Sequence, residues 1–267
     1  MGRSSRWLTR GIFVPRPFLE LLEDRTVPAH FYNFVDPSPS VGNGFGWAIV
    51  PLASGNVVVT APYDDSGATD AGAVYLFSGP TGVLISTLKG SQPDDRVGSY
   101  GVTVLTNGNF VVRSPLWDNG AATDAGAVTW GSGTTGVKGV VSAGNSLIGS
   151  QTNDGVGSDV SALTNGNFVV NSPSWDKGAS TDAGAVTWGN GTLGVMGVVS
   201  TANSLVGSGT DDKVGSGYVT ALSNGNFVVS SPKWDNGAAT NAGAVTWGNG
   251  TTGVKGAVST VNSLVGS

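Results

Sequence analysis

Thr106-Asn-Gly-Asn-Phe-Val-Val-Arg-Ser-Pro-Leu-Trp-Asp-Asn-Gly-Ala-Ala-Thr-Asp-Ala-Gly-Ala-Val-Thr-Trp130 occurs three times, almost unchanged, in this chain. Its Asn107 returns as Asn165 and Asn224, and its Trp117 as Trp175 and Trp234, in steps of 58 and 59 residues. A more divergent copy precedes them, where Ser54-Gly-Asn-Val-Val-Val-Thr-Ala-Pro62 and Thr69-Asp-Ala-Gly-Ala-Val74 fill the same slots. A period of this length signals a repeat architecture, in which each unit buries its apolar faces against its neighbours. Such arrays suit contact better than catalysis. An active centre needs unlike residues brought together, and near-identical copies supply like ones.

Working outward from Asn107, Val102 to Leu105 and Phe110 to Ser114 are two β-rich runs separated by Thr106-Asn-Gly-Asn109. Asn-Gly between such runs is a hairpin signal, because both residues accept the positive φ that a type I′ turn demands at its two central positions. Pro115 then closes the second strand, since it cannot donate to a ladder. A loop rich in Asp, Asn, Gly and Ala runs to Asp124, Gly126 to Trp130 gives a third strand, and Ser146-Leu-Ile-Gly-Ser150 a short fourth. Four antiparallel strands per unit predict an all-β fold, a β-propeller or partial propeller of about four four-stranded blades. The blades fall at about residues 41–95, 96–153, 154–212 and 213–267, behind a linker at 30–40.

Comparison of the copies separates buried from exposed positions. Arg113, Asn171 and Ser230 share a slot, as do Leu116, Ser174 and Lys233, and Lys138, Met196 and Lys255. Slots that accept such different side chains are expected to face water. Phe110, Val112 and their counterparts stay apolar, as a face packed on a neighbouring blade must.

Composition supports this reading. Forty-three glycines without a three-residue period exclude collagen, and 39% hydrophobic content with eight tryptophans argues for a packed core over disorder. There are no cysteines, so disulfides and thiolate metal sites are excluded. Residues 1–29 carry five Arg against three acidic residues, whereas the remainder carries eight Lys or Arg against fifteen Asp. A lightly charged acidic body offers no electrostatic footprint for nucleic acid. No stretch approaches the roughly 18–20 apolar residues that span a bilayer.

Met1 to Ala29 stands apart as an export or targeting segment. Arg3, Arg6 and Arg10 form a basic start, and Val27-Pro-Ala29 offers small residues for cleavage. Leu19-Glu-Leu-Leu-Glu-Asp-Arg-Thr-Val-Pro-Ala29 resembles an N-terminal segment common on large surface proteins of planctomycete-type bacteria, which implies a secreted or cell-surface location. The alternative is an amphipathic helix capping the first repeat.

The first copy reads Phe45-Gly-Trp-Ala-Ile-Val50, then Ser54 to Pro62, then Gly72-Ala-Val-Tyr-Leu-Phe77. This resembles the FG-GAP repeat of integrin α-subunit heads, and over residues 41–267 the chain looks like a bacterial relative of that family. In the later copies Val97-Gly98 or Val156-Gly157 stand for Phe-Gly, and Ser-Pro for Ala-Pro. The resemblance implies a propeller that binds proteins or glycans. Calcium is not carried over, because the slot of the family's acidic calcium loop holds only Leu-Thr-Asn-Gly-Asn-Phe, so no cofactor is expected. Integrin heads close with more blades than the four copies present here. The four therefore close on themselves, or form an arc or part of a longer array.

Candidate binding residues lie in the loops after the second strand: Trp117, Asp118 and Asp124, then Trp175, Asp176 and Asp182, then Trp234, Asp235 and Asn241. One reading makes them a ring of aromatic platforms and carboxylates for a protein or surface glycan. The other packs the tryptophans between blades, while Asp and Asn hydrogen-bond their own turns. Trp130, Trp188 and Trp247 lie on strands and belong to the core. Asp64-Asp65, Asp94-Asp95 and Asp211-Asp212 are adjacent carboxylates in connecting turns, too few for a designed calcium site. His30 is the single histidine, so no histidine-based triad can be assembled. The expected function is thus non-catalytic adhesion or interaction, without a cofactor. The alternatives are a carbohydrate-active propeller enzyme using the repeated aspartates, and a passive spacer in a larger surface protein.

Overall fold

Alternation along the second strand of each repeat sends one set of side chains toward the preceding repeat and the other toward the next, as a period of two requires. The computed structural model describes residues 33–267. The targeting segment expected at 1–29, and His30, lie outside the described residues. Repeat one contributes β1 (Ala48–Pro51), β2 (Val57–Ala61), β3 (Ala73–Phe77) and β4 (Leu84–Lys89). Repeat two contributes β5 (Val102–Val104), β6 (Phe110–Ser114), β7 (Ala127–Gly131), β8 (Gly139–Val140) and β9 (Ser146–Ile148). Repeat three follows with β10 (Asp159–Ala162), β11 (Phe168–Ser172), β12 (Ala185–Gly189), β13 (Gly197–Val198) and β14 (Ser204–Val206). Repeat four adds β15 (Val219–Ala221), β16 (Phe227–Ser231), β17 (Ala244–Gly248), β18 (Gly256–Ala257) and β19 (Ser263–Val265).

The fold is all-β, one sheet per repeat, but the sheets are not self-contained. Each of the first three takes a two-residue strand from the repeat that follows: β8 pairs in parallel with β4, β13 with β9, and β18 with β14. Three sheets therefore have five strands, and the last, β15-β16-β17-β19, has four. Repeat one has no strand to lend, because β4 follows directly on Gly82-Val83 where later repeats insert the lending strand and a turn. The expected four-stranded antiparallel blades are corrected on this point: three of the sheets carry a fifth, parallel strand. Two-residue strands carry no periodicity, so nothing in the sequence marks them.

The hairpin at Asn107 forms with a different turn. The Gly108 amide donates to the Leu105 carbonyl (2.9 Å) and the Leu105 amide to the Asn109 carbonyl (2.8 Å). Among residues 106–109 only Gly108 has positive φ, at 85°. Thr106 and Asn107 are thus the central pair of a right-handed turn, and Gly108 supplies a left-handed bulge position.

The core lies between sheets. Phe110 and Val112 of β6 pack with Val58, Val74, Leu76 and Leu88 of repeat one, while Val111 of the same strand packs with Phe168 and Val170 of repeat three. Val169 in turn meets Phe227 and Val229 of repeat four. Each large side chain so buried contributes about 1.5–3 kcal/mol. The outer side of repeat one is covered by Phe34 and Phe45, which pack on Tyr75 and Phe77. The outer side of repeat four is open: Leu264 is 79% and Trp247 53% exposed, against 0% for Leu147 and Leu205 at the position of Leu264. No apolar cluster among the described residues joins repeats four and one, so the four sheets form an open series.

One slot expected to face water does not. Arg113 pairs with Asp159 of the next repeat at 2.9 Å, and Asn171 is buried with its amide donating to the Gly215 carbonyl at 2.8 Å. Arg113 and Asn171 differ because each meets a different partner in the repeat that follows. Lys138, Met196 and Lys255 are exposed as expected.

Candidate functional site

The loop after β6 is built around its own backbone. The Trp117 amide closes a turn on the Ser114 carbonyl (3.1 Å), and the Gly126 amide returns to the Trp117 carbonyl (2.8 Å). At its tip Asn119 and Ala122 exchange both amide bonds, at 2.9 and 3.1 Å. Asp118 Oδ1 accepts the Asp124 amide at 2.8 Å, and Asp124 sits at φ 52°, the left-handed conformation that Asp and Asn tolerate. The same bond joins Asp176 to Asp182 (2.7 Å) and Asp235 to Asn241 (2.6 Å), with φ 51° at both acceptor-facing residues.

The indoles are inside. Trp117, Trp175 and Trp234 are 5%, 5% and 4% exposed, each in the cluster between its own repeat and the preceding one. They are packing residues and present no aromatic platform. In repeat one their slot holds Asp64, which is fully buried and accepts the Tyr75 hydroxyl at 2.6 Å. Burial, then this bond to a carboxylate, pushes the Tyr75 phenol far above its ordinary range.

The carboxylates in the connections are also not free turn ligands. Asp95, Asp154 and Asp212 are fully buried. Asp154 Oδ2 accepts the amides of Ser150 (2.7 Å) and Gln151 (2.8 Å), and its Oδ1 accepts the Asp176 amide (2.8 Å). Asp95 does the same for Ser91, Gln92 and Asp118, and Asp212 for Ser208, Gly209 and Asp235. Burial raises the carboxyls of Asp95 and Asp154 above the usual range, against the opposing pull of these amides. Asp124 is raised as well, by burial and then by neighbouring Asp118.

What remains exposed is a polar edge. The Gln151 side-chain amide reaches the Asp176 carbonyl at 3.1 Å, and Gln92 reaches that of Asp118 at 3.0 Å, so each connection is pinned beside the next loop. Between the loop of repeat two and the connection to repeat three lies an open cleft of about 620 Å³, lined by Asn119, Ala121, Ala122, Gln151, Thr152 and Asp176. Of the candidate residues, the structure brings Asp176 to this cleft. Gln151 and Thr152 were missed, because they look like ordinary turn residues until the connection is pinned. Among the described residues, no three or more His, Cys, Asp or Glu side chains converge as a metal site.

Four segments, residues 51–99, 104–158, 162–216 and 221–267, match one family in turn, one to each repeat described above and each beginning at the last residue of that repeat's first strand. The chain belongs to the family described as a repeat of unknown function (DUF5650). Comparison with curated proteins finds none that matches. The DUF5650 repeats of this chain thus give sheets of four or five strands; in repeats two to four a tryptophan is wedged against the repeat before, and a buried aspartate pins each connection between repeats.

Proposed function

We propose that this chain is a non-catalytic contact scaffold, exported or held at a cell surface, whose DUF5650 repeats offer the polar loop edge to a protein or surface glycan. The observation that carries this is the pinning of Gln151 on the Asp176 carbonyl, which sets adjacent loops side by side as a rigid polar cleft. Rigid loops on a repeated frame bind without the entropy cost of ordering them. The buried carboxylates and indoles hold these loops in place. The kinship with FG-GAP propellers belongs to the same proposal and rests on Phe45-Gly46 and Gly72-Ala-Val-Tyr75. The described residues contain no helix long and apolar enough to cross a membrane.

The test is a glycan and surface-protein binding screen of the full chain beside Ala121→Arg and Thr152→Arg, which obstruct the cleft from exposed positions. Binding by the parent that both variants lose, with unchanged circular dichroism, supports the reading. Equal binding by parent and variants contradicts it, as does polysaccharide turnover abolished by Asp118→Asn. Location is tested separately, by deleting residues 1–29 and following delivery to the surface.

A further inference from the structure

Repeat four carries on its outer side the apolar residues and the Asn-Asn-Trp donors with which repeats two and three hold the repeat after them, although Ser230 stands where they have Arg113 and Asn171. Val128 and Leu147 of repeat two, and Val186 and Leu205 of repeat three, are at most 1% exposed under the following repeat. Their counterparts Val245 and Leu264 are 45% and 79% exposed, beside Trp247 at 53%. A groove of about 470 Å³ crosses this face, lined by Val228, Val245, Trp247, Val261 and Leu264. In β9 and β14 the outer edge holds a lending strand, whereas β19 has β17 as its single neighbour.

The polar contacts repeat the pattern. Asn107, Asn109 and Trp130 all donate to the carbonyl of Gly191 in the next repeat, at 2.8–2.9 Å. Asn165, Asn167 and Trp188 donate to that of Gly250 in the same way. Repeat four keeps Asn224, Asn226 and Trp247 in the matching positions. Even the backbone fit is prepared: a Cβ at Gly126 or Gly184 would lie 2.3 Å from an amide of the next repeat, whereas at Gly243 the nearest atom is 3.5 Å away.

The other end of the array is not the complement. Repeat one has Asp64 in place of the wedging tryptophan, no lending strand, and Phe34 and Phe45 packed over its outer side. A second copy of this chain therefore cannot supply from repeat one what the open face takes.

We propose that the exposed face of repeat four is a docking site for one further DUF5650 repeat of the internal type. That unit brings a tryptophan in the Pro-x-Trp-Asp slot and a Gly-x-Gly loop whose carbonyl meets Asn224, Asn226 and Trp247. It also brings a two-residue strand that pairs in parallel with β19. The inference rests on continuity with the interfaces of repeats two and three and does not depend on the loop edge binding anything.

The experiment supplies such a repeat as a tethered probe, which sets a high effective concentration. Residues 209–267 are appended after Ser267, which occupies the slot of Ser208, with Phe in the appended copy's slot of Trp247 and a protease site at the junction. Residue-resolved hydroxyl-radical footprinting then reads Trp247. Its oxidation is expected to fall to the level of Trp188, and the fifth repeat is expected to stay bound after cleavage on size-exclusion chromatography. An appended copy with Pro at the slots of Gly256 and Ala257 and Ala at that of Trp234 is expected to lose both effects. Should the single extension not fold, residues 151–267 appended in the same phase bring two repeats that support each other. Trp247 as reactive in the extended chain as in the parent overturns the proposal, as does release of the cleaved repeat. Burial of Trp247 in a dimer of the unextended chain also overturns it, by assigning the face to a second copy.

Discussion

The carbonyl oxygen of Gly191 lies 2.9 Å from Nε1 of Trp130, across 61 residues of chain, and it also accepts the side-chain amides of Asn107 and Asn109. One backbone oxygen of repeat three is thus clasped by three donors of repeat two. The contact explains why the Asn-Gly-Asn hairpin, the strand tryptophan and the Gly-x-Gly loop recur together: each is half of an interface with the neighbouring unit. Trp130→Phe keeps most of the apolar area and removes one donor, which is expected to cost about 1 kcal/mol. Trp247→Phe, on the open face, is expected to stay within about 0.5 kcal/mol of the parent. Urea unfolding midpoints of the two variants check the contrast.

Glycine at the acceptor position is dictated by space. A Cβ on Gly191 would stand 1.6 Å from the carbonyl oxygen of Gly166, so the loop would have to leave the hairpin. Gly191→Ala is expected to lose more than about 4 kcal/mol, in the range reserved for broken networks and strained backbone. Gly178→Ala, at φ 61° with open space around it, carries only the left-handed penalty of about 1–2 kcal/mol. Thermal denaturation of both variants separates the two causes.

The buried aspartates give stability an unusual pH dependence. Burial holds the carboxyls of Asp95 and Asp154 above the range of an unfolded aspartate. Between the unfolded and folded values the native chain binds more protons, so stability falls as pH rises through that interval. The share contributed by these groups is therefore larger at mildly acidic pH than at neutrality. Calorimetry is expected to show that part of the acid-side gain disappears in Asp154→Asn. Asp154→Ala leaves three amides without their acceptor and is expected to cost about 3 kcal/mol or more, since each buried orphan costs about 1–3.

Repeat one is held by a pair that the other repeats lack. Tyr75→Phe removes the hydroxyl from Asp64 and leaves one oxygen of a fully buried carboxylate unpartnered. The expected loss is about 1–3 kcal/mol, and Asp64→Asn in the Phe background is expected to recover part of it by removing the charge. A double-mutant cycle measured by denaturant unfolding tests the coupling.

How much of this was legible in the sequence follows from the length of each signal. The run Phe110 to Ser114 announced β6 at its observed limits, because alternation over five residues between a turn and a proline has one reading. Gly126 to Trp130 was displaced by a single residue from β7. The lending strands at Gly139, Gly197 and Gly256 were invisible, since two residues have no period. The burial of Trp117 is one of the two readings its loop offers, and that of Asp154 is hidden. A tryptophan or aspartate in a Gly-rich loop reads the same whether the loop points to water or lies against another repeat. What the sequence did supply was the comparison between copies. It misled at Arg113 and Asn171, where variation marked a change of partner and not exposure.

Repeats two, three and four are each stitched to the one before, and the amides of Val141, Val199 and Val258 report on that directly. They donate to Lys89, Ile148 and Val206 of the preceding repeats at 3.1, 3.0 and 2.9 Å, from segments that have no other regular structure. Hydrogen exchange followed by NMR is expected to find these three amides protected to the degree of the strands they join. Exchange at the rate of open loops would show that the sheets stand separately, and would contradict the account.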